Sequence, residues 1–251
     1  PERPHRQARD GGRKSAHGAG HDQAWRDLRA NCQIIFVQTF SDILALINSP
    51  AITVGSYPAS WAELVGAVLG IAMVLCNIQQ IHWAWPLAFV SSVLYFFVFW
   101  DSKLFADATL QIFFAIMALW GWWQWLRGEQ SDGQNAGQAF VVQTLSARSA
   151  IQLIAVSAAL WIAIGLFLKN FTVSDVPWWD AFPTALSLVA TYLLGRKYIE
   201  NWPTWVVVNV VSIALFAYKA LWLTVGLYFV FAVMAVIGWQ AWRKQLIVPN
   251  Q

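Results

Sequence analysis

WPLAFVSSVLYFFVFWDSKLFADATLQIFFAIMALWGWWQW, residues 85–125, returns at 202–242 as WPTWVVVNVVSIALFAYKALWLTVGLYFVFAVMAVIGWQAW. A shift of 117 residues aligns the two without a gap, and the register extends back to 61–125 against 178–242. Trp61 meets Trp178, Glu63 meets Asp180, Trp85-Pro86 meets Trp202-Pro203, and Leu104 meets Leu221. Phe114-Ala115 meets Phe231-Ala232, Met117-Ala118 meets Met234-Ala235, and Gly121-Trp122 meets Gly238-Trp239 before Trp125 reaches Trp242. One register held across three apolar runs and two loops reads as a duplicated three-helix unit.

The solvent around these runs follows from composition. The chain is 58% hydrophobic and 12% charged, roughly half the charge of a soluble domain. Between Arg148 and Lys169 stand 20 uncharged residues, SAIQLIAVSAALWIAIGLFL, about the length of helix that crosses a bilayer. Windows of low charge give seven spans, at 62–80, 83–101, 104–126, 149–168, 181–197, 201–218 and 220–242. The runs are long and do not alternate, which excludes a membrane barrel. The fold class is an all-α integral membrane protein with a 3+1+3 parallel internal repeat. Four crossings precede the second unit, so both units enter the membrane in the same direction, with a site expected between them near the midplane.

The expected organisation is a disordered basic arm at 1–30, an amphipathic interfacial helix and loop at 31–60, and a first three-helix repeat at 61–126. A loop and linker helix follow at 127–177, then the second repeat at 178–244 and a tail at 245–251. Seven of the 16 Lys and Arg residues fall in the arm, the place where a basic tail beside a membrane needs no nucleic-acid partner. No apolar segment before residue 34 reads as a signal peptide. In 31–48 Phe36, Phe40, Ile43 and Ile47 share one helical face and Asn31, Gln38 and Asp42 another, a pattern for a helix lying along the interface. Trp83, Trp85, Trp120, Trp122, Trp123, Trp125, Trp202, Trp239 and Trp242 cluster near span ends, where the indole suits the lipid boundary. They are expected to be mostly anchors. Cys32 and Cys76 form no CxxC pair and indicate no redox compartment.

The elements WPLAF, KLFADATLQIFF, GWWQW and NWPTWVVVNVVSI…YKALWLTVGLYFVF together resemble the PnuC family of bacterial vitamin transporters, over about residues 60–244. The resemblance implies a nicotinamide riboside transporter of the inner membrane that works by facilitated diffusion, with a cytoplasmic kinase trapping the substrate. It also implies a SWEET-like architecture and a homotrimer. Relatives carry thiamin or riboflavin, so another vitamin, or a sugar, remains the alternative.

A ligand of this kind has a flat cationic ring and a polar ribose, and needs aromatic faces and hydrogen-bonding groups. Polar residues inside a membrane are costly, so each is a site candidate. Trp205, Asn209 and Ser212 lie on one face of the sixth span, Asn209 near its middle. Gln111 and Asp107 are i, i+4 partners in the third. The repeat pairs Gln111 with Tyr228, Asp107 with Thr224 and Ser92 with Asn209; a two-fold pocket for an asymmetric ligand should differ at such positions. For Asn209 and Gln111 the competing role is an interhelical hydrogen bond; for Asp107 it is a pair with Lys103. Thr184, Ser187, Thr191 and Asn77 are weaker, because Ser and Thr in such helices commonly bond their own backbone.

An intramembrane enzyme would need a nucleophile, a metal set or paired carboxylates at depth. His5, His17 and His21 lie in the arm and His82 stands alone in a short loop, so no catalytic residue, metal or cofactor is expected. The expected partners are the bilayer and a small substrate. On the side of the C-terminus stand Arg127, Arg148, Arg196, Lys197, Arg243 and Lys244, against Lys103, Lys169 and Lys219 opposite. By the positive-inside rule the C-terminus is cytoplasmic. Seven spans then put the basic arm outside, a tension that a crossing by 31–48 would remove.

Overall fold

The computed structural model describes residues 49–54, 57–101, 105–130, 141–172, 174–220 and 222–247, with helical residues at 38–39, 41–42 and 45–46. Side chains at 52–60, 62–63, 98–99, 101, 105–107, 128–130 and 247 lie outside that description. So do the arm at 1–30, most of the interfacial segment and the last four residues of the tail.

Seven helices follow in chain order: α1 Trp61–Ile78, α2 Ala84–Asp101, α3 Phe105–Gln130, α4 Ala147–Phe171, α5 Pro177–Gly195, α6 Asn201–Tyr218 and α7 Trp222–Ile247. Each matches one apolar window of the sequence to within a few residues. Before them the structure corrects an expectation. Residues 50–60, read as part of a helix and loop, pair as an antiparallel hairpin of β1 (Pro50–Val54) and β2 (Tyr57–Ser60). The sequence carries the reason: Ile52-Thr53-Val54 are β-branched residues that favour strand, and Gly55-Ser56 is a two-residue link of hairpin length.

Local chemistry sets the helix ends. Ser146 caps α4 by accepting the Ser149 amide at 3.2 Å, and Pro177 opens α5, where a missing N–H costs nothing. Pro183 inside α5 is tolerated with hydroxyls bonding back to carbonyls: Thr184 to Asp180 (2.9 Å), Ser187 to Pro183 (2.7 Å) and Thr191 to Ser187 (2.8 Å). The turns after α1 and α5 each hold one left-handed residue, Gln80 (φ 57°) and Lys197 (φ 54°), at matching places in the repeat.

Packing runs along the chain: α1 on α2, α2 on α3, α4 on α5, α5 on α6, α6 on α7. Two further contacts cross between the sets α1–α3 and α5–α7, namely α1 with α7 and α3 with α5. Across the second of these Trp120 stacks on Tyr192, with ring centroids 5.6 Å apart and planes at 12°.

Four tryptophans inside the two sets are a second correction. Trp85, Trp125, Trp202 and Trp242 are buried in the core, not placed at a lipid boundary. Trp85 meets Trp125 edge-on at 5.6 Å and 82°; Trp202 meets Trp242 at 5.5 Å and 86°. A Cβ on Gly121 would overlap the Trp85 ring, and one on Gly238 the Trp202 ring. Glycine costs a helix about 1 kcal/mol relative to alanine, and here it is what lets an indole lie flat against the neighbouring helix. Such edge-to-face pairs contribute about 0.5–1.5 kcal/mol beyond the area they bury. Trp83, Trp123 and Trp239, by contrast, are exposed, as expected of boundary residues.

The outer surface is apolar. Ile151, Ile154, Phe167 and Phe171 on α4, Ile112, Phe113 and Ile116 on α3, and Phe229, Val233 and Ile237 on α7 all face outward. Soluble monomers seldom expose contiguous apolar patches beyond a few hundred Å², so these faces are solvated by lipid. By length and composition Ala147–Phe171, Asn201–Tyr218 and Trp222–Leu246 are each sufficient to cross a bilayer, and Leu64–Ile78 and Ala84–Phe97 are shorter apolar segments.

Candidate functional site

The crossed contacts leave a cavity between α1–α3 and α5–α7, with a volume of about 260 Å³. That is near the lower end of the roughly 300–1,000 Å³ usual for small-molecule sites. Trp85 and Trp202 form part of its wall, with Phe114, Phe231 and Tyr228 adding further rings. Its polar groups come from Asn77 at the end of α1, Ser91 and Ser92 on α2, Thr191 on α5, and Asn201 and Asn209 on α6.

Of the residues singled out in the sequence, Asn209, Trp205, Tyr228 and Ser92 come together on this wall, with the weaker candidates Asn77 and Thr191. Asn209 and Ser92 are buried, 4% and 7% exposed, on helices from opposite sets. Ser212 is buried on α6 but off the wall. Gln111 and Thr224 are partly buried and also off it. The Asp107 side chain lies outside the described residues. Asp180 belongs to a different place: it accepts from Ser174 Oγ and pairs with Lys219 Nζ at 2.8 Å, tying the start of α5 to the end of α6.

Two polar wall residues, Ser91 and Asn201, were not singled out. Asn201 is fully buried; its amide nitrogen donates to the Tyr198 carbonyl at 2.6 Å, while its Oδ1 has no partner among the described residues. Trp202 Nε1 and Trp85 Nε1 are likewise buried without a partner there, as is Oδ1 of Asn77. A buried unpaired polar atom costs about 1–3 kcal/mol; these four atoms are enclosed by the surrounding side chains and do not open onto the cavity. Asn201 aligns with Ala84 in the repeat, and the rule that paired positions should differ at a site marks it as well as it marks Asn209.

No lysine, arginine, histidine or carboxylate stands on the described wall. The arrangement can stack a flat ring, attract a cationic one through its aromatic faces and hydrogen-bond hydroxyl or amide groups. It offers nothing to neutralise a phosphate. Among the described residues there is also no group of three His, Cys, Asp or Glu able to hold a metal ion.

Below the cavity, on the side of the α1–α2 and α5–α6 turns, the crossed contacts close. Trp242 Nε1 donates to the Asn77 and Ile78 carbonyls, each at 3.2 Å, and Gln80 Nε2 to Gln245 Oε1 at 2.5 Å. At the matching junction Lys197 Nζ lies 4.9 Å from the Trp125 ring centroid. There a strap at 141–146 runs beside the turn: the Gln143 amide donates to the Lys197 carbonyl, Ile199 donates to Gln143, and Leu145 donates to Glu200 Oε1.

A lipid-solvated helical bundle with one cavity between two similar helix sets defines a membrane carrier for a small organic molecule. The chain belongs to the PnuC family: the family sequence pattern described as nicotinamide mononucleotide transporter matches residues 60–244. It is 28% identical to the nicotinamide riboside transporter PnuC of Escherichia coli (strain K12), covering 78% of this chain and 90% of that one. It is also 28% identical to the riboflavin/roseoflavin transporter RibM of Streptomyces davaonensis, covering 78% and 91% respectively. The crystal structure of the vitamin B3 transporter PnuC shares the fold, with a TM-score of 0.60 at 22% identity, over 85% of this chain and 91% of that one.

Proposed function

We propose that this protein carries nicotinamide riboside across the bacterial inner membrane by facilitated diffusion, and that phosphorylation by a cytoplasmic kinase retains the product. The observation that carries the reading is the cavity wall: aromatic rings, amides and hydroxyls with no charged side chain among its described members. That chemistry suits a cationic pyridinium base and a ribose, and disfavours the mononucleotide, whose phosphate would enter without a basic partner. The relatives point the same way, with riboflavin as the second substrate class that their names support.

The reading includes an architecture. Seven spans are arranged as a duplicated three-helix unit joined by α4, supported by the matched tryptophan–glycine junctions and the matched left-handed residues in the turns. Asn209, Trp205, Tyr228 and Ser92 form the binding wall. Ser212 and Thr224 lie on α6 and α7 and Gln111 on α3, off the wall, and would contact substrate only in another conformation; Asp107, also on α3, stays a candidate with them. The C-terminus is cytoplasmic, as the distribution of basic residues favours, and the assembly is a homotrimer like that of the family the sequence resembles.

Purified protein in liposomes is the test. Nicotinamide riboside should equilibrate across the membrane, and accumulate beyond equilibrium only with a kinase and ATP inside. Accumulation driven by a proton or sodium gradient alone would overturn facilitated diffusion. Uptake of the mononucleotide in preference to the riboside would overturn the substrate.

A further inference from the structure

The repeat and the cavity are related in a way that locates the substrate's ring. Most of the wall consists of positions 117 residues apart, both members of each pair being present: Trp85 with Trp202, Phe114 with Phe231, Ser92 with Asn209. A cavity lined in this manner straddles the pseudo-two-fold axis. It is not centred there. On α1 it reaches Leu69, Gly70 and Met73, whereas their counterparts on α5, Leu186, Ser187 and Ala190, are off the wall.

One pair on the wall differs most in volume. Trp205 on α6 corresponds to Ala88 on α2, and both line the cavity. The second set fills its own side with an indole, while the first leaves the volume of that indole open above a methyl group. Ala84 opposite Asn201 repeats the contrast one turn earlier. Asn77 and Asn201 stand on the wall of the same space, so amide groups accompany the rings there.

We propose that Ala88 is a specificity-determining residue: the planar base of the substrate occupies the place of the indole that the first helix set lacks, and the side chain at 88 limits the size of ring admitted. This rests on the nucleoside reading given above. It adds that recognition of the base comes from a difference between the two copies, not from a feature they share. In the second set Trp205 supplies the protein's own ring; in the first, the ring arrives with the ligand.

The test is a graded series, A88S, A88V, A88L and A88F, in the full-length protein. Affinities for nicotinamide riboside and for riboflavin are measured on the monodisperse detergent-solubilised fraction. Each added heavy atom should weaken riboside binding, by about tenfold or more from Ala to Val, since one methylene group in a close-fitting pocket is worth about 10–200-fold. A88F should bind nothing measurable, while its ligand-free melting temperature stays at or above the parent's, because the added ring fills existing space. A riboside affinity independent of the side chain at 88 overturns the proposal. So does a loss of binding that tracks a falling melting temperature through the series. If the larger variants do not fold, A88S and A88V, each within two heavy atoms of the parent, decide it by the same criterion. A parent protein that binds neither ligand overturns the nucleoside reading itself, an outcome visible before any variant is made.

Discussion

The two tryptophan junctions, one within each helix set, share their geometry and differ in how they are satisfied. Trp85 against Trp125 and Trp202 against Trp242 have nearly the same separation and angle, over glycines at the same position. Yet Trp242 Nε1 bonds two carbonyls at the end of α1, whereas Trp125 Nε1 is buried with no partner among the described residues and has Lys197 near its ring. The shape of the duplicated unit has been kept while its hydrogen bonding has diverged. The strap at 141–146 stands on the α5–α6 side, where the less satisfied indole is. One junction is closed by side chain to backbone; the other is braced from outside.

The largest effects should come from removing the shared part. Trp242→Ala and Trp125→Ala each delete a buried indole and should cost about 3–5 kcal/mol, read by chemical denaturation in micelles. A loss at only one site would show that the two junctions do not carry comparable loads. Next in size is the contrast across the cavity. Asn209→Leu should weaken riboside binding by about 1–3 kcal/mol by leaving a ligand group unpaired, while Gln111→Leu, off the wall, should stay within about 0.5 kcal/mol. Calorimetric titration measures both, and equal losses would move the site toward α3. Smaller again is the hydrogen bond that separates the junctions. Trp242→Phe should destabilise more than Trp125→Phe by about 0.5–1.5 kcal/mol; equality would mean the Trp242 bonds contribute nothing net. The smallest is Lys219→Met, which removes the half-exposed pair with Asp180 and should cost about 0.2–1 kcal/mol, less at high salt.

Much of this was legible in the sequence. Apolar length located the helices, and α6 begins and ends where the charge pattern puts it, because Glu200 and Lys219 bracket an uncharged run. The tryptophans were misread because abundance near span ends is the mark of a lipid boundary, and abundance cannot separate an indole that faces lipid from one that faces a glycine. The distinction was present in the repeat. A boundary tryptophan needs no fixed register and no partner glycine, whereas Trp85, Gly121 and Trp125 recur together as Trp202, Gly238 and Trp242. Polarity at depth and mismatch between the copies point to Asn209, Trp205, Tyr228 and Ser92, which share the cavity wall. Asn201 was passed over because it sits at a helix start, where an asparagine passes for a cap. The strap at 141–146 left no pattern, since two of its bonds are backbone to backbone and the other two use single side chains, Gln143 and Glu200, that no periodicity marks.

The Trp242 bonds also set an order of assembly. The ribosome delivers Asn77 and Ile78 long before Trp242, 165 residues separating donor from first acceptor. At about 5–20 residues per second that interval is roughly 8–30 s, during which α1 to α6 can enter the bilayer while those two carbonyls await their donor. The strap completes sooner, because its partners follow it by 53 and 55 residues. Synthesis therefore braces the α5–α6 turn first and closes the α1 end last. A nascent chain halted before α7 holds a lined but open cavity, and α7, when it emerges, seals the end of α1.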